Sequence, residues 1–288
     1  MYVSTKNMLE NARFGNYAVC AFNAENLEMV QAIITGAEEM NAPVIVQTTP
    51  STINYADCAY FSAIVRTAAE RVRIPVALHL DHGTNFALVC RTVKAGYTSV
   101  MIDGSQEEFE ANIALTKKTV EMAHSCDIPV EAELGKVGGK EEAGDAESGA
   151  SCTDPFEARE FILRTGCDFL AVGIGTAHGI YKSAPKLDLD RLADIKTEIK
   201  KQADVPLVLH GATGLSDEII KECVKRGINK INFATELRQA YTSAVRGKLS
   251  ADASIIDVKI YGGYARDCVR DRVREKIMLS GSAGKRGK

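Results

Sequence analysis

The sequence predicts a closed parallel (β/α)8 barrel, the TIM-barrel architecture of the α/β class, with an extra C-terminal helix. Eight short apolar runs alternate along the chain with segments of helical spacing. The runs are too uniformly apolar to face water on one side, as expected of parallel strands covered on both faces. Three of the five histidines stand where such runs give out. A length of 288 residues fits one barrel of this kind, so residues 1–288 are expected to form a single domain.

In order, the runs are YAVCAFN (17–23), PVIVQT (43–48), PVALHLD (75–81), SVMID (99–103), PVEAELG (129–135), FLAVGIG (169–175), PLVLHG (206–211) and KINFATE (230–236). Between them, NLEMVQAIITGAEEM and EEFEANIALTKKTVEMAH carry helical spacing, and a proline or a glycine such as Gly96, Gly166 or Gly227 precedes several strands. A doubly wound open sheet is the alternative. It would carry a nucleotide-binding glycine loop after its first strand, and AFNAEN is no such loop. After the fifth run, KVGGKEEAGDAESGASCT (136–153) is a long, acidic, glycine-rich connection that reads as a mobile lid. Residues Arg266 to Leu279 read as a final charged helix, and the GSAGKRGK tail is expected to fray.

Composition narrows the classes of function. A net charge of -3 with 25% charged residues provides no polyelectrolyte footprint for nucleic acid. No stretch approaches the roughly 18 apolar residues of a spanning helix, and the N-terminal residues lack a signal-peptide core. These features predict a cytoplasmic protein with neither nucleic-acid nor membrane partners. The eight cysteines include no CxxC pair, which excludes a cysteine zinc knuckle and predicts reduced, mostly buried thiols.

The histidines carry the chemistry. LHLDH ends at His82, GIGTAH at His178 and LVLH at His210. Active sites of such barrels lie at the C-terminal strand ends, and a catalytic zinc typically takes three protein ligands with a position left for substrate. His82, His178 and His210 are therefore the expected zinc ligands. The same rim carries Asn23, Gln47, Asp81, Asp103, Glu133 and Asn232 through Thr235. Asp81 adjoins a ligand and is placed to exchange a proton with a substrate hydroxyl, whereas Asp103 and Glu133 read as supports. After the seventh run, HGATGLSDE offers Gly211, Gly214 and Thr213 ahead of a helix N-terminus; after the eighth, Asn232 and Thr235 flank Ala234. Loops in these two positions are the habitual phosphate cradle of the fold.

The motifs AFN, LHLDHG, MIDGS, VEAELGKVGG, GTAHGIYK, PLVLHGATG, INFATEL and the terminal GSAGK together resemble the class II, zinc-dependent ketose-bisphosphate aldolases over nearly the whole chain. That resemblance implies reversible cleavage of a ketose 1,6-bisphosphate, fructose or tagatose, into dihydroxyacetone phosphate and glyceraldehyde 3-phosphate through a zinc-stabilised enediolate. It assigns Zn2+ to His82, His178 and His210, and the acid/base role to Asp81. Glu141, with Glu142 as the alternative register, takes the proton-transfer position in the lid. Asn23, Gly179, Lys182, Gly211, Thr213, Asn232 and Thr235 fall to substrate binding. Thr213 stands where many relatives have serine. The resemblance also implies a monovalent cation (Na+ or K+) near the phosphate and a homo-oligomer, dimer or tetramer.

GTAHG and FATEL resemble the tagatose-bisphosphate enzymes, while LDHG and Arg266 in ARDCV are closer to the fructose-bisphosphate ones. In the latter, an arginine from this region serves the distal phosphate across a subunit interface. An aldolase for another ketose 1-phosphate and a non-catalytic sugar-phosphate-binding barrel remain as alternatives. A Schiff-base aldolase would need a strand lysine facing substrate, and Lys230 is expected at the wrong end of its strand, with Lys182 out in a loop. A zinc amidohydrolase would carry HxH early in the barrel, where this chain has HLDH.

Overall fold

The eight runs form a closed barrel in a computed structural model of the protein, which describes residues 1–139, 149–179, 181 and 185–287. The barrel strands are β1 (Val19–Asn23), β2 (Val44–Thr48), β3 (Val76–Gly83), β4 (Ser99–Ile102), β5 (Val130–Leu134), β7 (Phe169–Val172), β9 (Leu207–Leu209) and β10 (Ile228–Phe233). Two further strands, β6 (Gly138–Gly139) and β8 (Ala177–His178), pair with each other outside it. Every barrel pairing is parallel, and β10 closes the ring against β1 through Val19↔Lys230 and Phe22↔Phe233. The open-sheet alternative is thereby set aside.

Helices α2 (Leu27–Glu39), α4 (Cys58–Ala69), α5 (Phe86–Ala95), α6 (Phe109–His124), α7 (Pro155–Thr165), α8 (Leu189–Ile199), α9 (Asp217–Lys225) and α10 (Thr235–Ala251) follow the strands, with a short α3 (Pro50–Ala56) before α4. Asn26, Asn85, Asp154 and Ser216 start their helices by accepting a backbone N–H one turn on, which satisfies amides that a helix leaves unpaired. Alternate strand residues point outward beneath these helices, forming a continuous layer that includes Phe22, Val46, Leu78, Val100, Ala132, Leu170, Leu209 and Phe233.

The inward face is divided in two. Val19, Ala21, Ile45, Ala77, Phe169, Ala171 and Val208 fill the lower barrel together with Met8, Leu9 and Ala12 of α1 (Thr5–Gly15), which packs beneath it. Above them the inward positions turn polar, and the same alternation that buries Ala77 brings His79 and Asp81 inside. This polar upper layer positions the site.

Several expectations are corrected. The final helix, α11, runs from Val258 to Leu279 and thus begins before Arg266; it packs against α2 and α10. The tail is held down rather than frayed: Ser280 and Ser282 are buried, Ala18 N donates to Ser280 O at 3.0 Å, and Gly284 N donates to Met40 O at 2.9 Å. Cys20, Cys58, Cys167 and Cys223 are buried as free thiols, but Cys90 and Cys268 are half-buried and Cys126 and Cys152 exposed. Among the described residues, no helix is long and apolar enough to cross a membrane.

The role of α1 as the barrel floor is testable. Leu9→Ala, at a fully buried position, is expected to cost about 2–5 kcal/mol in urea unfolding. A loss below about 1 kcal/mol would mean that α1 is not part of the core.

Candidate metal and sugar-phosphate site

Asp81 and His82 are neighbours on one strand and should point to opposite faces of the sheet. A bulge resolves the conflict. Pairing between β3 and β4 goes from Leu80↔Val100 to Gly83↔Ile102, so one extra residue is accommodated on β3. His82 takes the left-handed backbone conformation there, with φ 47°. Both side chains consequently serve the barrel mouth. His82 meets His178 and His210 with ring centroids 4.9 and 4.6 Å apart, while Asp81 is bound by inward-facing amides.

His210 follows directly on β9, as expected. His178 does not end a barrel strand: β7 stops at Val172, and His178 belongs to the separate β6–β8 pair. Glycines let neighbouring backbone come close enough to hold this segment in place. A Cβ on Gly139, at φ +83°, would lie 2.4 Å from His178 O, and one on Gly211, at φ +67°, 2.6 Å from Ala177 O. Tyr181 ties the segment further, accepting from Ala177 N at 2.9 Å and donating to Gly211 O at 2.7 Å.

The three imidazoles offer nitrogen atoms within 4.8 Å of one another, and His82, Asp103 and Glu133 form an adjoining set sharing His82. Carboxylates behind the rings choose the nitrogen each can offer. His82 Nδ1 is 2.7 Å from Asp103 Oδ2, so Nε2 is the nitrogen turned away from that carboxylate. His210 Nε2 is 2.9 Å from Glu131 Oε1, leaving Nδ1; Glu133 Oε2 lies 3.1 Å from that Nδ1 but off the line of a hydrogen bond. The donor set therefore fits a zinc-like cation, with Asp103 and Glu131 fixing the far nitrogens of His82 and His210.

Electrostatics agree with this arrangement. Burial raises the Asp103 carboxyl, but the His82 contact and the Ser105 amide outweigh it and hold the group well below the usual range. Burial acts likewise on Glu131, where the Lys230 charge, the hydrogen bond from His210 and the nearby His79 ring prevail and keep it ionised. For His210, burial favours the neutral ring, yet Glu131 and Glu133 overcome it and lift the pKa to about 9.

Asp81 is held on both oxygens. Asn23 Nδ2 and Gln47 Nε2 each donate to Oδ2 at 3.0 Å, and Asn232 Nδ2 donates to Oδ1 at 3.0 Å. Beside it, Asn23, His178, Gly179, Gly211, Ala212, Thr213, Asn232, Ala234 and Thr235 line a single pocket. Here α9 is capped by the Ser216 side chain, whereas α10 begins at Ala234 with no side-chain cap, so its first amides are available to an anion.

Of the residues singled out in the sequence, His82, His178, His210, Asp81, Asn23, Gly179, Gly211, Thr213, Asn232 and Thr235 are thus brought together. Arg266 is not among them: on α11 its guanidinium donates to Gln31 Oε1 at 3.2 Å. Glu141, Glu142 and Lys182 lie outside the described residues, as does half of the expected lid. Lys230 is not at the end of its strand; it is fully buried inside the barrel, 2.8 Å from Glu131 Oε2. The sequence reading assigned no role to Glu131 or Tyr181 and set Lys230 aside. For Glu131 and Lys230 a signal existed, since each stands two residues before a rim residue, Glu133 or Asn232, and so on the same strand face.

The family model for Fructose-bisphosphate aldolase class-II matches residues 3–285 of the chain. Among solved structures, the chain is similar to the YdjI aldolase of Escherichia coli K12, at 37% identity over 100% of both chains with a TM-score of 0.88. It also shares the fold of the fructose-bisphosphate aldolase of Campylobacter jejuni, at 19% identity over 99% of this chain and 97% of that one, TM-score 0.84.

With His210 lifted to about 9, a metal entering the metal-free protein must displace its proton. Zinc affinity should therefore rise from pH 6.5 towards 9 by up to about tenfold per unit and level off above that. Competition titrations with a chelator across this range will show it; a flat profile would contradict a protonated His210.

Proposed function

The chain belongs to the class-II fructose-bisphosphate aldolase family, and from that premise we propose that this aldehyde-lyase reversibly cleaves a ketose 1,6-bisphosphate into dihydroxyacetone phosphate and glyceraldehyde 3-phosphate. The observation that carries the reading is the convergence of His82, His178 and His210 beside an amide-clamped Asp81, next to a pocket ending at the uncapped N-terminus of α10. The reading takes residues 1–288 as one catalytic domain of a cytoplasmic homo-oligomer.

His82, His178 and His210 would hold zinc, which when bound supplies Lewis-acid polarisation of the ketose carbonyl and its neighbouring hydroxyl. The phosphate of the dihydroxyacetone half binds against Gly179, Gly211, Thr213 and Thr235, with Lys182 and a monovalent cation as further partners of its charge. This anchors the sugar so that its C4 hydroxyl meets Asp81. Asn23, Gln47 and Asn232 prevent the carboxylate from rotating away, and Asp81 takes the hydroxyl proton as the C3–C4 bond breaks. Glu141 returns a proton to C3 of the nascent dihydroxyacetone phosphate, and condensation runs the same path in reverse.

Fructose and tagatose bisphosphates differ only in configuration at C4, the carbon whose hydroxyl Asp81 handles. Within one subunit Arg266 contacts Gln31, so its service to a distal phosphate would have to come from a partner subunit; an aldolase for another ketose 1-phosphate is the alternative reading.

Coupled assays on both bisphosphates test the reading, and turnover of neither would overturn it in favour of another ketose 1-phosphate. Asp81→Ala should lower cleavage by about 10²- to 10⁴-fold with zinc retained. A rate near wild type would reduce Asp81 to a strand-end contact.

Glu141→Ala should slow exchange of the C3 protons of dihydroxyacetone phosphate with solvent, a step that requires no C–C cleavage. Glu142→Ala should have the milder effect. If the two effects are reversed, the proton is carried by Glu142.

A further inference from the structure

Among the described residues, the barrel encloses a lysine ammonium that the mechanism above does not use. Lys230 is fully buried on β10, and its ammonium makes two contacts: an ion pair with Glu131 Oε2 at 2.8 Å and a hydrogen bond donated to Asn232 Oδ1 at 2.7 Å. Each contact leads into a different half of the site. Glu131 Oε1 is 2.9 Å from His210 Nε2, and Asn232 Nδ2 donates to Asp81 Oδ1 at 3.0 Å.

We propose that Lys230 is a positioning residue that orients a metal ligand and the proton acceptor together. On one side it holds Glu131 as a carboxylate against His210. A carboxylate accepts only, so His210 must carry its proton on Nε2 and present Nδ1 to the metal. On the other side it fixes the Asn232 amide. The two ends of an amide are nearly identical in shape but opposite in hydrogen bonding, and a flipped Asn232 would set its oxygen against the Asp81 carboxylate. Because Lys230 can only donate, the amide oxygen must face it and the NH2 must face Asp81. The strand makes this possible, since Lys230 and Asn232 are two residues apart and project to the same side.

The inference rests on the aldolase reading for the task of Asp81, but its metal half does not depend on the substrate. Lys230→Met alone would strand Glu131 as a lone buried ion, so the informative variant is Lys230→Met with Glu131→Gln, which removes both charges together. In chelator competition this double variant should bind zinc about tenfold more weakly than wild type. Its kcat for the bisphosphate should fall about 10- to 100-fold while KM stays within about threefold. Wild-type zinc affinity together with wild-type kcat would reduce Lys230 to a counter-charge for Glu131 and overturn the proposal.

Should the wild-type enzyme cleave neither bisphosphate, the substrate reading fails, and the zinc titrations of the same two proteins still decide the role of Lys230. Histidine 15N spectra of the wild-type zinc protein avoid any dependence on a variant's folding. His210, assigned by its loss in His210→Gln, should appear metal-bound at Nδ1 and protonated at Nε2; binding through Nε2 would overturn the proposal.

Discussion

A parallel barrel wrapped in helices leaves little water inside, so each charge it encloses must find its compensation within the ring. In this protein that requirement settles on Glu131. Its carboxylate lies between His79, His210 and Lys230, all fully buried, and the stacking above follows from it. His79 is anchored in turn by Ser99 at 2.8 Å, and Ser99 accepts from Thr5 at 3.0 Å, so a line of polar contacts runs from the floor helix to the metal ligands. Burial lowers the pKa of His79, and the neighbouring Lys230 charge lowers it further. Around Glu131 the interior thus sets an ammonium and a ring disposed to stay neutral where apolar side chains would otherwise pack.

Such a core is a poor choice for stability alone, because a buried ion pair of this kind often contributes less than the apolar residues that could replace it. What it provides is orientation. Side chains with one permissible hydrogen-bonding sense leave their neighbours one permissible sense as well, and the sense propagates to Asp81 and to His210. The lower barrel has no such task and is filled with valine, alanine, isoleucine and phenylalanine.

The division between legible and illegible features follows the same physics. All eight strands could be read from the sequence, because a strand buried on both faces must be apolar nearly throughout. The rim set of His82, His210, Asp81 and Asn232 could be read because strand ends are punctuated. The bulge at His82 could not: it is a matter of register between β3 and β4, and LHLDHG looks the same with or without it. The departure of His178 from the barrel sheet was hidden too, since FLAVGIGTAH reads as one continuous run although the strand stops at Val172. Lys230 was misread because a lysine near the start of an apolar run resembles a solvated strand end. Only three-dimensional closure shows that Glu131 awaits it.

That closure sets an order of events for the growing chain. Glu131 leaves the ribosome about a hundred residues ahead of Lys230, which is carried on β10, the last strand to join the ring. Until β10 docks against β1 and β9, the carboxylate lacks the Lys230 ammonium and has His210 as its partner from the preceding strand end. A chain ending before β10 would therefore hold Glu131 with only part of its compensation, a cost to closing the half-built ring around it. The final strand contributes hydrogen bonds and apolar surface, and with them the positive charge that lets the interior dry.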